Sequence, residues 1–221
     1  MKRKYAILAL LLLVLTINAC SGDTGATLTT DVAPGSVTST ITIKPHLRSE
    51  PAIIASTAEM LPWIRKNGFN HPGFISSDKG LANGIQGDFQ HEYEVIIFKG
   101  QTVVFDRATG LMWQQPGPTQ PMTWENAKNY IDHLNTEKYA GFADWHLPTL
   151  EELLSLMEAT QTNGIFYLDP AFDTKETRYH YWSADQRPSG HAWVVSFSSG
   201  YVYDGYANYY DGYVLAVRLE R

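Results

Sequence analysis

The chain has 221 residues, 44% of them hydrophobic, with 17 Lys+Arg against 23 Asp+Glu for a net charge of −6. That length and apolar content suffice for one globular domain with a sizeable core. The acidic balance, with no basic run beyond the first four residues, argues against a nucleic-acid-binding role.

Lys2, Arg3 and Lys4 precede an apolar run from Tyr5 to Ile17, the layout of a secretory signal peptide. The run is too short for a spanning helix, which needs about 20 apolar residues. It ends in Ile17-Asn18-Ala19-Cys20, which resembles a bacterial lipobox. Residues 1–19 are therefore expected to be a leader and Cys20 the lipidated first residue of the mature protein. Cys20 is the only cysteine, so an exported chain that could have used disulfides has none available. Acyl chains on Cys20 would anchor it to a membrane at about 0.8 kcal/mol per buried CH₂. Ser21, with no Asp in that position, resembles the sorting pattern of outer-membrane lipoproteins, which implies an outer-membrane anchor without giving its leaflet; cell-surface display is the expectation. Loss of the leader leaves 14 basic against 23 acidic residues, a net −9.

Residues 20–45 are rich in Ser, Thr, Gly and Ala, the composition of a flexible spacer. Residues 46–86 read as an N-terminal extension with one short helix, Thr57 as its N-cap and Met60, Leu61 and Ile64 as its apolar stripe. Asn67-Gly68 stops that helix. The compact part is expected to start near Phe89, in a domain spanning 87–221. Glu94–Phe98 and Thr102–Phe105 flank Lys99-Gly100-Gln101 as strand, turn and strand. A turn at Asp106–Gly110 leads to an apolar strand, Leu111–Gln114. Thr123 then caps a helix with Trp124, Ala127, Ile131 and Leu134 at helical spacing. Thr149-Leu150-Glu151-Glu152 is a capping box, and Leu150, Leu153, Leu154 and Met157 form one buried face behind it. Asp169-Pro170 marks another turn. Short strands and turns follow, closing with a strand over Tyr213–Leu219.

Several blocks in this order carry a resemblance. They are Asp106–Gln114 (DRATGLMWQ), Thr123–Ala127 (TWENA), Gly141–Thr149 (GFADWHLPT) with Glu151-Glu152-Leu153, Tyr181-Trp182-Ser183, Ala192–Val195 and Val217-Arg218. Colinear over roughly Gly87–Arg218, they resemble the Lcl C-terminal domain family, related to the C-type-lectin-like fold and more distantly to formylglycine-generating enzymes. The resemblance implies an α+β fold: two helices packed on a small, twisted, mainly antiparallel sheet, with a loop-rich face that binds ligands. Trp113, Trp124, Trp145, Trp182 and Trp193 are expected in the core.

Residues 198–213 contain six of the chain's 13 tyrosines and no Lys, Arg, Glu, Gln, Met, Trp or Pro. A core segment would carry Leu and Ile, and a solvated loop would carry Lys and Glu. Tyr with Ser, Gly, Asp and Asn is instead the vocabulary of antibody binding loops, where Tyr gives rigid amphipathic area and the small residues adapt their hydrogen bonds. Changing only the adenines of an Asn codon yields Tyr, Asp, Ser, Gly or Ala, but never Lys, Glu, Gln, Met or Trp. Ser198, Ser199, Tyr201, Tyr203–Tyr206, Ala207 and Asn208–Gly212 all fall in the reachable set. Phe197, Gly200, Val202, Val214 and Val217 sit among them like scaffold. The pattern resembles the variable region of a diversity-generating retroelement target, here about residues 196–213. The expected ligand-binding residues are Ser196, Ser198, Ser199, Tyr201, Tyr203, Asp204, Gly205, Tyr206, Ala207, Asn208, Tyr209, Tyr210, Asp211 and Gly212. The alternative for this segment is a Tyr-rich hairpin with rings paired across strands.

No enzyme chemistry is legible. The seven histidines lack metal-ligand spacing. The cysteines of formylglycine-generating enzymes are missing, and Gln186-Arg187-Pro188-Ser189 does not replace the calcium-lectin motif. The reading is therefore a non-enzymatic, cofactor-free surface protein whose partner is an extracellular protein or glycan. A fixed polysaccharide-binding adhesin is the alternative.

Overall fold

Local sequence dictates most of the elements. The 3₁₀ turn Thr57–Glu59 leads into α1, Leu61–Lys66, which ends at Asn67 with Gly68 at φ 66°. The cap is Ser56 rather than Thr57: Glu59 reaches back to the Ser56 amide at 3.2 Å in a capping box. Lys99 and Gly100 both have positive φ, 48° and 80°. That is the primed two-residue turn whose twist suits a tight hairpin, and it joins β1, Tyr93–Phe98, to β2, Gln101–Asp106. Thr109 and Asp106 shape the next turn, into β3, Leu111–Gln115. Thr123 caps α2, Trp124–Thr136, as expected. Thr149 caps α3, Leu150–Ser155, and the capping box with Glu152 is complete. The remaining strands are β4 His180–Gln186, β5 Ala192–Ser196, β6 Tyr201–Gly205 and β7 Val217–Leu219.

This computed structural model describes residues 45–73, 84–173, 180–207 and 211–220. The expected leader, Cys20 and the expected spacer up to residue 44 fall outside that range, as do Asn208, Tyr209 and Tyr210. Among the described residues, no helix is long and apolar enough to cross a membrane.

The architecture is α+β with few helices. The single sheet expected from sequence is two antiparallel sheets, ordered β1-β2-β3-β7 and β4-β5-β6. The closing strand is shorter than Tyr213–Leu219, because Tyr213 bridges β4 in parallel and regular pairing with β3 begins at Val217.

Two apolar clusters flank the strands. One gathers Val104, Trp113, Trp193, Val195 and Val202 with Leu150, Leu153 and Leu154 of α3. The other gathers Val103, Phe105, Met112, Val194 and Trp182 with Ala127, Ile131 and Leu134 of α2. Adjacent residues of β2 and β5 thus face opposite clusters, which explains why both strands read as continuous apolar runs. Trp113, Trp145, Trp182 and Trp193 are buried, while Trp124 is half-buried.

The core also reaches upstream of Phe89. Leu47, Ile54, Met60, Ile64 and Phe69 join the first cluster. Arg48 makes a bidentate ion pair with the buried Asp185, at 2.8 Å to each oxygen. Asp185 also accepts from the amides of Ala52 and Leu150, each at 2.7 Å. One carboxylate therefore ties the N-terminal extension, β4 and the start of α3 together.

Leu153 is fully buried. Leu153→Ala is expected to lower stability by about 2–5 kcal/mol in denaturant unfolding, the usual cost of a buried-leucine cavity. A second expectation concerns His71, which is 1% exposed and whose pKa burial lowers from 6.5 to about 4. The folded state favours neutral His71, so its contribution is complete above pH 6.5 and is lost as pH falls toward 4. Urea titrations across that window should lose about 2–3 kcal/mol, and His71→Phe should flatten the slope.

Candidate functional site

The Tyr-rich segment starts in a hairpin. β6 pairs with β5, Trp193 opposite Asp204 and Val195 opposite Val202. The connecting turn closes through the Gly200 amide on the Ser196 carbonyl at 2.8 Å, with Gly200 at φ 70°. Beyond β6 the chain crosses the start of α2. The Trp124 amide donates to the Ala207 carbonyl at 3.0 Å, and Met122 and Gly212 exchange two backbone bonds of 2.9 Å. The Trp182 indole donates to the Met122 carbonyl at 2.7 Å. The segment is thus held at both ends by backbone contacts that do not depend on its side chains.

Burial sorts the segment sharply. All five scaffold positions, Phe197, Gly200, Val202, Val214 and Val217, are buried. Tyr201, Tyr206 and Asp211 are exposed, and Ser198, Ser199, Tyr203, Asp204 and Ala207 are half-buried. Three of the expected binding positions lie beneath the surface instead. Ser196 is 1% exposed, and its hydroxyl accepts from Ser199 at 2.8 Å. Gly205 is buried opposite Ala192 at the end of β6. A Cβ on Gly212 would meet the Trp182 indole at 3.0 Å. These residues shape the surface from below.

Sequence reasoning missed the side chains that brace this surface. Asp204 accepts from Arg187 Nη1 at 3.0 Å and from His191 Nδ1 at 2.8 Å. Arg187 also donates to the Ala55 carbonyl. Burial opposes the charge on Asp204, but the hydrogen bonds from His191 and Arg187 outweigh it and hold the carboxyl below its ordinary range. Tyr206 lies against His191, ring centroids 4.0 Å apart, and Tyr203 meets His180 edge-on at 5.5 Å. Arg187 and His191 come from the β4–β5 connection, and their partners become visible only once the β5–β6 register is known. His146 bonds to Glu152 at 2.9 Å, six residues along the chain.

A groove of about 650 Å³ lies alongside, lined in part by Trp124, Lys128 and Asp132 of α2, Trp145, Pro51 and Gln186. Trp124 joins the two features, because its amide holds Ala207 while its side chain walls the groove. No group of three or more metal-ligating side chains occurs among the described residues.

A family model described as the Lcl C-terminal domain matches residues 102–218, more than half of the chain and all of it from β2 into β7. No curated protein matches the chain.

Proposed function

The chain belongs to the Lcl C-terminal domain family, and on that premise we propose that it is a surface-displayed, non-enzymatic binding protein. Its fold is the C-type-lectin-like variant of the α+β class, and its ligand is an extracellular protein or glycan. Cys20 anchors it by lipid to the outer membrane, and the spacer gives it reach. The Tyr/Ser/Gly/Asp-rich surface is diversified by a retroelement, so that different versions take different ligands.

The observation that carries this reading is the match between codon class and burial. Positions read as fixed are all buried, and most positions within reach of adenine mutagenesis are at least partly open to solvent. A surface can vary without unfolding its scaffold only if those two sets separate, since core changes are costly. The braced Tyr206 supports the same reading, because rigid aromatic side chains lose little entropy on contact.

The test is capture of ligands by natural versions that differ only at the open positions. Ligand choice should change with those residues. The groove beside Trp124 favours a second reading, a fixed polysaccharide-binding adhesin, because its lining lies outside the Tyr-rich segment. That reading expects all versions to share one glycan-array profile.

A further inference from the structure

β1 is the end strand of its sheet, and among the described residues its outer edge has no strand partner. The strand precedes residues 102–218 and so lies outside the family-matched region. Its sequence, Tyr-Glu-Val-Ile-Ile-Phe, is mostly apolar. Val95 is 53% exposed and Ile97 is 71% exposed, the highest value among the large exposed hydrophobics. Both lie on the Val104 face of the sheet, where Val104 and Trp113 of the inner strands are buried in the first apolar cluster while Val95 and Ile97 stay exposed. Soluble proteins usually blunt such an edge with charge, proline or a bulge, because an exposed apolar edge templates pairing. Glu94 and Arg107 form an ion pair near one end of β1, yet its centre is unprotected.

We propose that this edge is an interface between two copies of the chain, with β1 pairing to β1 antiparallel about a two-fold axis. An isologous contact requires a self-complementary strand, and the register that keeps the faces matched supplies one. With Ile96 on the axis, Val95 of each copy lies opposite Ile97 of the other, so the exposed apolar pair is covered on both copies. A one-residue slip would set the apolar face of one strand against the opposite face of its partner. The ends also complement each other. Lys99 and Glu92 are exposed at opposite ends of β1, and neither has an opposite charge within salt-bridge distance among the described residues. Antiparallel pairing brings each Lys99 to the Glu92–Tyr93 end of the other copy. A short edge is a small interface, so the dimer forms in a concentration-dependent way.

The experiment is sedimentation of the full chain in nonionic detergent over a range of concentrations, beside three variants. The chain should move from its monomer mass to twice that mass as concentration rises. Ile97→Lys should raise the dissociation constant by about tenfold or more without lowering the melting temperature. Lys99→Glu should weaken the dimer, and Glu92→Lys with Lys99→Glu should restore it. A monomer at every concentration would overturn the proposal, as would an Ile97→Lys chain that dimerises like the parent. Failure of the charge exchange to restore pairing would overturn the register.

Discussion

Replacing Tyr203, Tyr206, Tyr209 and Tyr210 together by alanine should weaken ligand binding by at least about 100-fold while leaving the domain folded. The size follows from what buried interface tyrosines contribute, about 2 kcal/mol or more at a hot spot, with each 1.4 kcal/mol equal to a factor of ten. The tolerance of the fold follows from the geometry. β6 is fixed by its pairing with β5 and by Val202 in the core, and Ala207 and Gly212 are each tied down by backbone bonds. None of these requires a tyrosine ring. Tyr203 and Tyr206 do rest on His180 and His191, so a fall of a few degrees in melting temperature is expected, at roughly 2–4 °C per kcal/mol for a chain of this size. Calorimetry and a binding titration on the same preparation separate the two effects. A collapse of the melting transition would return the segment to the alternative of a hairpin held by ring pairing.

Arg48→Met should lower stability by about 3–5 kcal/mol, because it leaves the Asp185 carboxylate buried without its cation. Asp185 has a fully buried side chain, and the guanidinium supplies two of its hydrogen bonds. The two remaining amide donors, Ala52 and Leu150, do not neutralise its charge. The damage should spread beyond one pair, since the Arg48 carbonyl accepts from Thr149 at 2.7 Å and anchors the extension to the start of α3. Pairing Arg48→Met with Asp185→Asn should recover part of the loss, because it removes the unpaired charge and keeps one side-chain oxygen for the amide donors of Ala52 and Leu150. Urea unfolding of the single and double variants checks both statements.

How much of this was legible in the sequence depended on the range of the interactions. Thr123, Thr149 and Glu152 act within one turn, so their caps could be read directly. Lys99-Gly100 likewise announced a turn between two short strands. In the N-terminal extension only the short helix and its Asn67-Gly68 stop could be read this way. Leu47, Ile54 and Phe69 gain their meaning from α3 and β5, on the order of a hundred residues away, and nothing local distinguishes them from loop residues. The same limit hid the division into two sheets, since strands buried on both faces lose the alternation that would mark them.

The candidate site was legible by composition and blurred by packing. Codon class groups the segment as a unit, and the positions it sets aside as scaffold are buried. It could not know that Gly212 abuts Trp182 or that Ser196 turns inward. Those positions are reachable by adenine mutagenesis but closed to bulk, so a diversified population should retain small residues there. Asp204 is a further case: its charge is met by Arg187 and His191, a partnership set by strand register rather than by sequence proximity.

The most direct measurement of the central claim is the DNA that flanks this gene. Retroelement diversification predicts an Asn-rich near-copy of the sequence encoding residues 196–213, beside a reverse-transcriptase gene. It further predicts that the two copies differ only where the template has adenine. Absence of such a copy, or differences spread equally over all four bases, would contradict it.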